Sequence, residues 1–204
     1  MTIDSDHKLV YEFKEGNKDL KNILGGKGAN LAEMTKLGLN IPQGFTITTE
    51  ACLNYFKNPE KVMKKIRPIV LEKLKSLEEI TGKKFGDEKN PLLVSVRSGA
   101  PMSMPGMMDT VLNLGLNDKS VVVLATQTNN PRFAYDSYRR FIQMFGDVVM
   151  GIGDENFERI IVKYKHVKSV GNIVIIDDKV LEEMPRPYAK ICASFPDWAR
   201  RIGE

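Results

Sequence analysis

The chain has 204 residues, 42% of them hydrophobic and 27% charged, with 30 Lys and Arg against 26 Asp and Glu for a formal net charge of +4. That length can bury a sizeable core in one domain, or in one domain plus a subdomain, and charges this evenly mixed argue against a nucleic-acid-binding tail. No apolar run approaches the roughly 20 residues that cross a bilayer, the polar stretch from Met1 to His7 is no secretory signal, and Cys52 and Cys192 form no C-x-x-C pair, so the expectation is a cytoplasmic protein with no zinc or redox motif.

Gly25-Gly26-Lys27-Gly28 opens the first clear helix. Leu31, Met34 and Leu37 recur at helical spacing, and Gly38 stands where a C-terminal cap belongs. A turn with Pro42 and Gly44 leads into Phe45 to Thr48, which alternates like a strand. Thr48 or Thr49 then caps a short helix containing Ala51, Leu53, Tyr55 and Phe56. Asn58-Pro59 joins a cap to a proline in the first helical turn. Behind it Val62, Ile66, Ile69 or Val70, Leu74, Leu77 and Ile80 make an apolar stripe, with Pro68 a candidate kink and Gly82 the stop. Leu92 to Val96 reads as a buried strand that ends at Arg97. Ser98 to Met108, rich in Met, Gly and Pro, reads as an ordered loop, and Thr110 to Leu114 as another strand. From Asn117 the pattern turns helical. Asn130-Pro131 repeats the cap-and-proline start, and Ala134, Tyr138, Phe141, Phe145 and Val148 follow at helical spacing. Asp154 is placed to cap a helix through Phe157, Ile160, Ile161 and Tyr164, and Ile173 to Ile176 has strand character.

Few residues carry chemistry by type and spacing. A glycine-rich turn at a helix start lets backbone N–H groups approach an anion, the helix N-terminus favours negative charge, and Lys27 adds a full positive charge there. The spacing is not that of a P-loop, and a tight turn with an exposed lysine is the alternative. Arg97 stands where a strand gives way to a glycine turn; its planar fork suits phosphate oxygens, or it pairs with a structural carboxylate. Ser103 to Thr110 carries more Met than water-exposed loops usually do, so it packs either over a ligand or onto the core. Asp109 and Thr110 offer oxygens that can meet a magnesium–nucleotide, or Asp109 caps a turn. Arg139-Arg140 sit in a helical pattern, either on a solvated face or with one of them facing a phosphate. His7 and His166 have no partner spaced for metal binding or nucleophilic catalysis.

Four ordered segments carry a resemblance. They are Leu24 to Met34 with Ile41 to Ala51, Pro91 to Ala100, Ser103 to Leu116, and Asn130-Pro131-Arg132-Phe133-Ala134-Tyr135-Asp136-Ser137-Tyr138-Arg139-Arg140-Phe141. From about Leu9 to Tyr164 the chain resembles the N-terminal region of pyruvate phosphate dikinases, within a wider group that includes phosphoenolpyruvate synthases. The resemblance implies an α+β fold, the first part of an ATP-grasp-like nucleotide-binding domain with a helical subdomain. It implies that Lys27 and Arg97 contact nucleotide phosphates. It further implies that the loop from Met104 through Gly106, Met107, Asp109 and Thr110 covers them, and that Arg140 assists at the transferred phosphoryl group. The ligand it implies is ATP with Mg. Where the family usually has arginine, this chain has Pro101.

The expected organisation is an α/β subdomain over residues 1–116, helices over 117–166 and a tail over 167–204 that leaves the family pattern. The family reaction converts ATP, phosphate and pyruvate to AMP, diphosphate and phosphoenolpyruvate. It also uses acidic magnesium ligands, a carrier histidine and a pyruvate-binding barrel, whose motifs are not found in the sequence. The expectation is therefore an ATP-binding piece of a phosphotransferase that does not complete the reaction alone, with no metal ligands of its own. The alternatives are a non-catalytic module pairing with itself or with a separate dikinase chain, and a small phosphotransferase recruiting Asp109, Asp177 or Asp178 to metal. Neither nucleic acid nor membrane is an expected partner.

Overall fold

A computed structural model of the chain describes residues 8–100, 109–163, 168–170, 173–175, 182–183 and 185. Its elements mix helix and strand, and contacts divide the chain into two units. One comprises Met1–Gly82 and Ser98–Met108, the other Lys83–Arg97 and Asp109–Glu204.

In the first unit, β1 (Val10–Glu12) pairs antiparallel with β2 (Phe45–Ile47), Val10 opposite Ile47 and Glu12 opposite Phe45. Between them lie two one-turn 3-10 segments and the helix α1 (Lys21–Lys36). Gly25 interrupts α1 with φ 70° and ψ 169°, a conformation that is essentially glycine's alone. The main body of the helix therefore starts at Gly26, as the glycine run suggests. It ends with Gly38 at φ 74°, its N–H bonded to the Thr35 carbonyl at 3.0 Å. The helix α2 (Thr49–Lys57) follows, its Ala51 N–H held by the Thr48 hydroxyl at 3.2 Å. The helix α3 (Pro59–Thr81) starts on the Asn58 side chain, which accepts from the Lys61 N–H at 3.0 Å. It runs through Pro68 as one element, and Gly82 closes it in the left-handed region at φ 65°. Of its apolar stripe only Val62 and Ile66 are buried; Ile80 is exposed. Two small clusters of buried hydrophobic residues lie here among the described residues. Leu24, Ala29 and Ala32 pack with Tyr11 and Leu20, and Ala51, Val62 and Ile66 with Leu9 and Val70.

The second unit is built on helices. β3 (Val94–Arg97) pairs antiparallel with β4 (Thr110–Leu114), with an irregular register between Val94 and Val96. After them come α4 (Ser120–Thr128), α5 (Pro131–Met144), a π-helical turn over Phe145–Val149 and α6 (Glu155–Lys163). Beyond α6 a small pair, β5 (Lys168–Val170) and β6 (Ile173–Ile175), is antiparallel. Asn130 caps α5 by accepting from the Phe133 N–H at 3.0 Å, with Pro131 in the first turn. One cluster of nine buried residues, from Leu116 and Val121 through Ala134, Tyr138 and Ile142 to Ile152, Phe157, Ile160 and Ile161, forms the core.

Three expectations need correction. The strand at Val94–Arg97 is not buried: Leu92 is, but Val96 is 54% exposed, because among the described residues the strand has only β4 beside it in a two-stranded pairing. The helical phase does not carry on to Val148, since the π turn adds a residue per turn and leaves Val148 exposed. Asp154 begins α6 through its backbone carbonyl, which accepts from the Phe157 and Glu158 N–H groups at 3.0 Å each. Its carboxylate instead accepts from the Gln143 side-chain amide. β4 packs on α5 and lies in the same unit as the helices. No helix among the described residues is long and apolar enough to cross a membrane.

Candidate functional site

The candidate residues divide between the two units. In the first, the glycine–lysine turn lies against the segment Ser98–Ala100. The Gly26 N–H donates to the Ala100 carbonyl at 2.8 Å, and the Lys27 ammonium donates to the Ser98 carbonyl at 3.4 Å. A Cβ on Gly25 would stand 3.4 Å from both the N and O of Ala100. A Cβ on Gly28 would stand 2.9 Å from both Cγ2 and Oγ1 of Thr46, and turning that side chain would bring one branch or the other into the same space. Gly28 thus serves a close approach to Thr46, Gly25 serves a backbone conformation that other residues rarely adopt, and one N–H expected for an anion is already bonded. Lys27 remains exposed at the first turn of the helix proper, where the amide dipoles favour negative charge. An ammonium has three donors, and one long bond to a carbonyl leaves it able to meet a phosphate.

In the second unit Arg97 closes β3 opposite Thr110, the first residue of β4. Arg97 is exposed, and no ion-pair partner for it stands among the described residues. Asp109, also exposed, precedes β4. Gly106 and Met107 fall outside the described residues, as do the rest of the loop from Pro101 to Met108, His7, His166, Asp177, Asp178 and Cys192. Cys52 is a free, exposed thiol.

Arg140 has the most elaborate surroundings. It projects from α5 at a groove of about 800 Å³ whose lining includes Leu112, Arg132, Asp136, Arg139, Gln143, Asp147, Asp154 and Glu158. Its side chain is 66% exposed, and its Nε donates to Asp136 Oδ2 at 2.7 Å. Its neighbour Arg139 is buried. Arg139 Nε and Nη2 donate to Asp136 Oδ1 at 3.0 and 2.9 Å, and its Nη1 donates to Gln143 Oε1 at 2.9 Å. Asp136 therefore takes one arginine on each oxygen. Tyr138, on the same helix, donates its hydroxyl to Asp118 at 3.0 Å. Burial first, and then the Asp118 charge, push that hydroxyl well above its ordinary value and keep it neutral.

By residue type Arg139 and Arg140 stand out in the sequence as candidates, while Asp136 and Gln143 do not. The signal was there: Asp136 lies three and four residues before the arginines, which places all three on one helix face. The carbonyl partners Ser98 and Ala100 left no such signal, since a backbone acceptor has no sequence identity. No group of three or more His, Cys, Asp or Glu is placed to hold a metal ion among the described residues.

Residues 21–81, which contain the glycine–lysine turn, match the family described as pyruvate phosphate dikinase, AMP/ATP-binding domain. The chain is 60% identical over 163 residues to a pyruvate, phosphate dikinase of Clostridium symbiosum, covering 80% of this chain and 19% of that protein. Over 186 residues it is 49% identical to the enzyme of that name from Entamoeba histolytica, covering 91% of this chain and 21% of the other. Over 188 residues it is 51% identical to the chloroplastic pyruvate, phosphate dikinase 1 of Arabidopsis thaliana, covering 90% and 19%. The chain thus spans about a fifth of the length of the curated relatives it matches.

Proposed function

We propose that this chain, which carries the N-terminal AMP/ATP-binding region of the pyruvate phosphate dikinases, binds ATP with Lys27 against its phosphates. The observation that carries this reading is the Gly25 break, which starts a helix at Gly26 and sets an exposed lysine in its first turn, inside the matched stretch. The amide dipoles and the ammonium act together on an anion there. Arg97 and Arg140 are further phosphate contacts in this reading, each supplying a guanidinium suited to paired oxygens. Asp109 and Thr110 border the nucleotide with Gly106 and Met107. The finer fold is the first part of an ATP-grasp-like domain, and the setting is the cytoplasm.

Phosphoryl transfer is mainly a matter of placing and neutralising phosphate oxygens. This chain's share is to hold the nucleotide, and the full conversion of ATP, phosphate and pyruvate lies beyond it alone. Magnesium enters this reading with the nucleotide, held largely by phosphates and water, as is common for that ion.

A thermal-shift titration with magnesium–ATP tests the reading, because a ligand that binds only the folded state raises its stability with occupancy. The wild type should shift upward, and Lys27→Ala and Arg97→Leu should shift less. No shift in a folded wild type would remove the reading. A second reading, a module pairing with itself or with a separate dikinase chain, has the outer face of α2 in its favour, where Leu53 is 63% and Phe56 79% exposed. A clean monomer in sedimentation, with no capture of a dikinase chain, would sink it.

A further inference from the structure

We propose that Asp136 is a positioning residue that fixes the Arg140 guanidinium for a phosphate, with buried Arg139 locking Asp136 in turn. This inference rests on the phosphate reading of Arg140.

Arg140 is long and exposed, and a free arginine samples many rotamers whose loss costs binding energy. Here its Nε is tied to Asp136 Oδ2 at 2.7 Å. Its two terminal nitrogens make no hydrogen bond to the described residues, and the side chain lines the groove. The tether engages Nε alone and leaves the two terminal nitrogens for paired oxygens.

Asp136 could not hold this geometry if it turned freely. Its other oxygen accepts two bonds from Arg139, whose side chain is only 9% exposed. Arg139 is itself fixed through Nη1 on Gln143 Oε1, and the Gln143 amide donates to Asp154 at the start of α6. The chain Asp154–Gln143–Arg139–Asp136–Arg140 thus ties the exposed guanidinium to the packed helices through a buried cation. The tether also offsets part of the Arg140 charge, so it trades some attraction for a fixed direction.

The test is calorimetric binding of magnesium–ATP to the full 204-residue chain, carrying Arg140→Ala, Asp136→Asn or both. Arg140→Ala should weaken binding about 10-fold and Asp136→Asn about 3- to 10-fold, the scale of one charged hydrogen bond. The double variant should bind no more weakly than Arg140→Ala, because Asp136 acts only through Arg140. Equal binding by Arg140→Ala and the wild type, or no binding by the wild type, overturns the phosphate reading of Arg140 and this inference with it. A loss in Arg140→Ala with none in Asp136→Asn overturns the inference alone. So does an Asp136→Asn loss that persists undiminished without Arg140, the mark of a merely structural role. Should Asp136→Asn not fold once Arg139 loses its carboxylate, the charge-balanced pair Asp136→Asn with Arg139→Gln takes its place, with the same expectations.

Discussion

The two units hold their candidate phosphate groups in different ways. In the first, geometry is set by backbone: a glycine-only conformation at Gly25, a close approach at Gly28 and two carbonyls that meet Gly26 and Lys27. Among its described residues, the buried hydrophobic clusters are two groups of three. In the second, geometry is set by side chains. A helix packed on a nine-residue core among the described residues carries Asp136, Arg139 and Arg140, and an ion pair with the buried Arg139 directs the exposed charge. A site of the first kind should fail when a Cβ is added, and one of the second kind when a carboxylate is neutralised or the core beneath it is hollowed.

Substitutions can break this contrast. The largest effect is expected from Phe157→Ala. Phe157 is fully buried in the helical core, and truncations of this kind cost about 3–5 kcal/mol. Urea unfolding should show the loss, and the unfolding of the first unit, followed by hydrogen exchange at α1, should change much less if the units are energetically separate. Equal loss of protection in both would erase the comparison.

Gly25→Ala comes next. Its φ of 70° with ψ 169° strains any side-chain-bearing residue by about 1–3 kcal/mol, while the new Cβ would only touch Ala100. It should lower the melting temperature and also weaken magnesium–ATP, because Lys27 rides on the turn that must shift. Unchanged binding in a destabilised Gly25→Ala would separate the turn from the ligand.

The smallest effect concerns acid. Lys14 first, and Lys73 with it, hold the Glu12 carboxyl below its ordinary value of 4.5. A carboxyl lowered in the folded state adds stability that is present above its unfolded pKa and is lost as pH falls through the folded one. Melting temperature measured from about pH 6 to about pH 3 should therefore fall less steeply in Glu12→Gln than in the wild type. Parallel curves would mean that the Glu12–Lys73 contact at 2.9 Å contributes nothing to tying β1 to α3.

Much of this was legible in the sequence, for identifiable reasons. The caps at Thr48, Asn58 and Asn130 are local hydrogen bonds, encoded within three residues, and they set the helix starts as read. Gly38 and Gly82 end helices in the left-handed region that their lack of a side chain permits. The pairing of β1 with β2 was not legible, because Val10 to Glu12 is too short to show alternation, and its partner lies more than 30 residues away. Exposure of Val96 was missed because an apolar run does not say how many strands will flank it. At the site, Lys27, Arg97 and Arg140 stood out by residue type. Asp136 drew no attention because a carboxylate on a charged helix reads as a solvated face, although its spacing to both arginines was visible.

The central claim is that Lys27 holds nucleotide phosphate, and comparing magnesium–ATP with adenosine by calorimetry on wild type and Lys27→Ala tests it most directly. The wild type should favour ATP strongly, and Lys27→Ala should lose about 10-fold or more of that preference, on the scale of a charge-assisted hydrogen bond, while adenosine binding stays the same. Undiminished preference for ATP in a folded Lys27→Ala would contradict it.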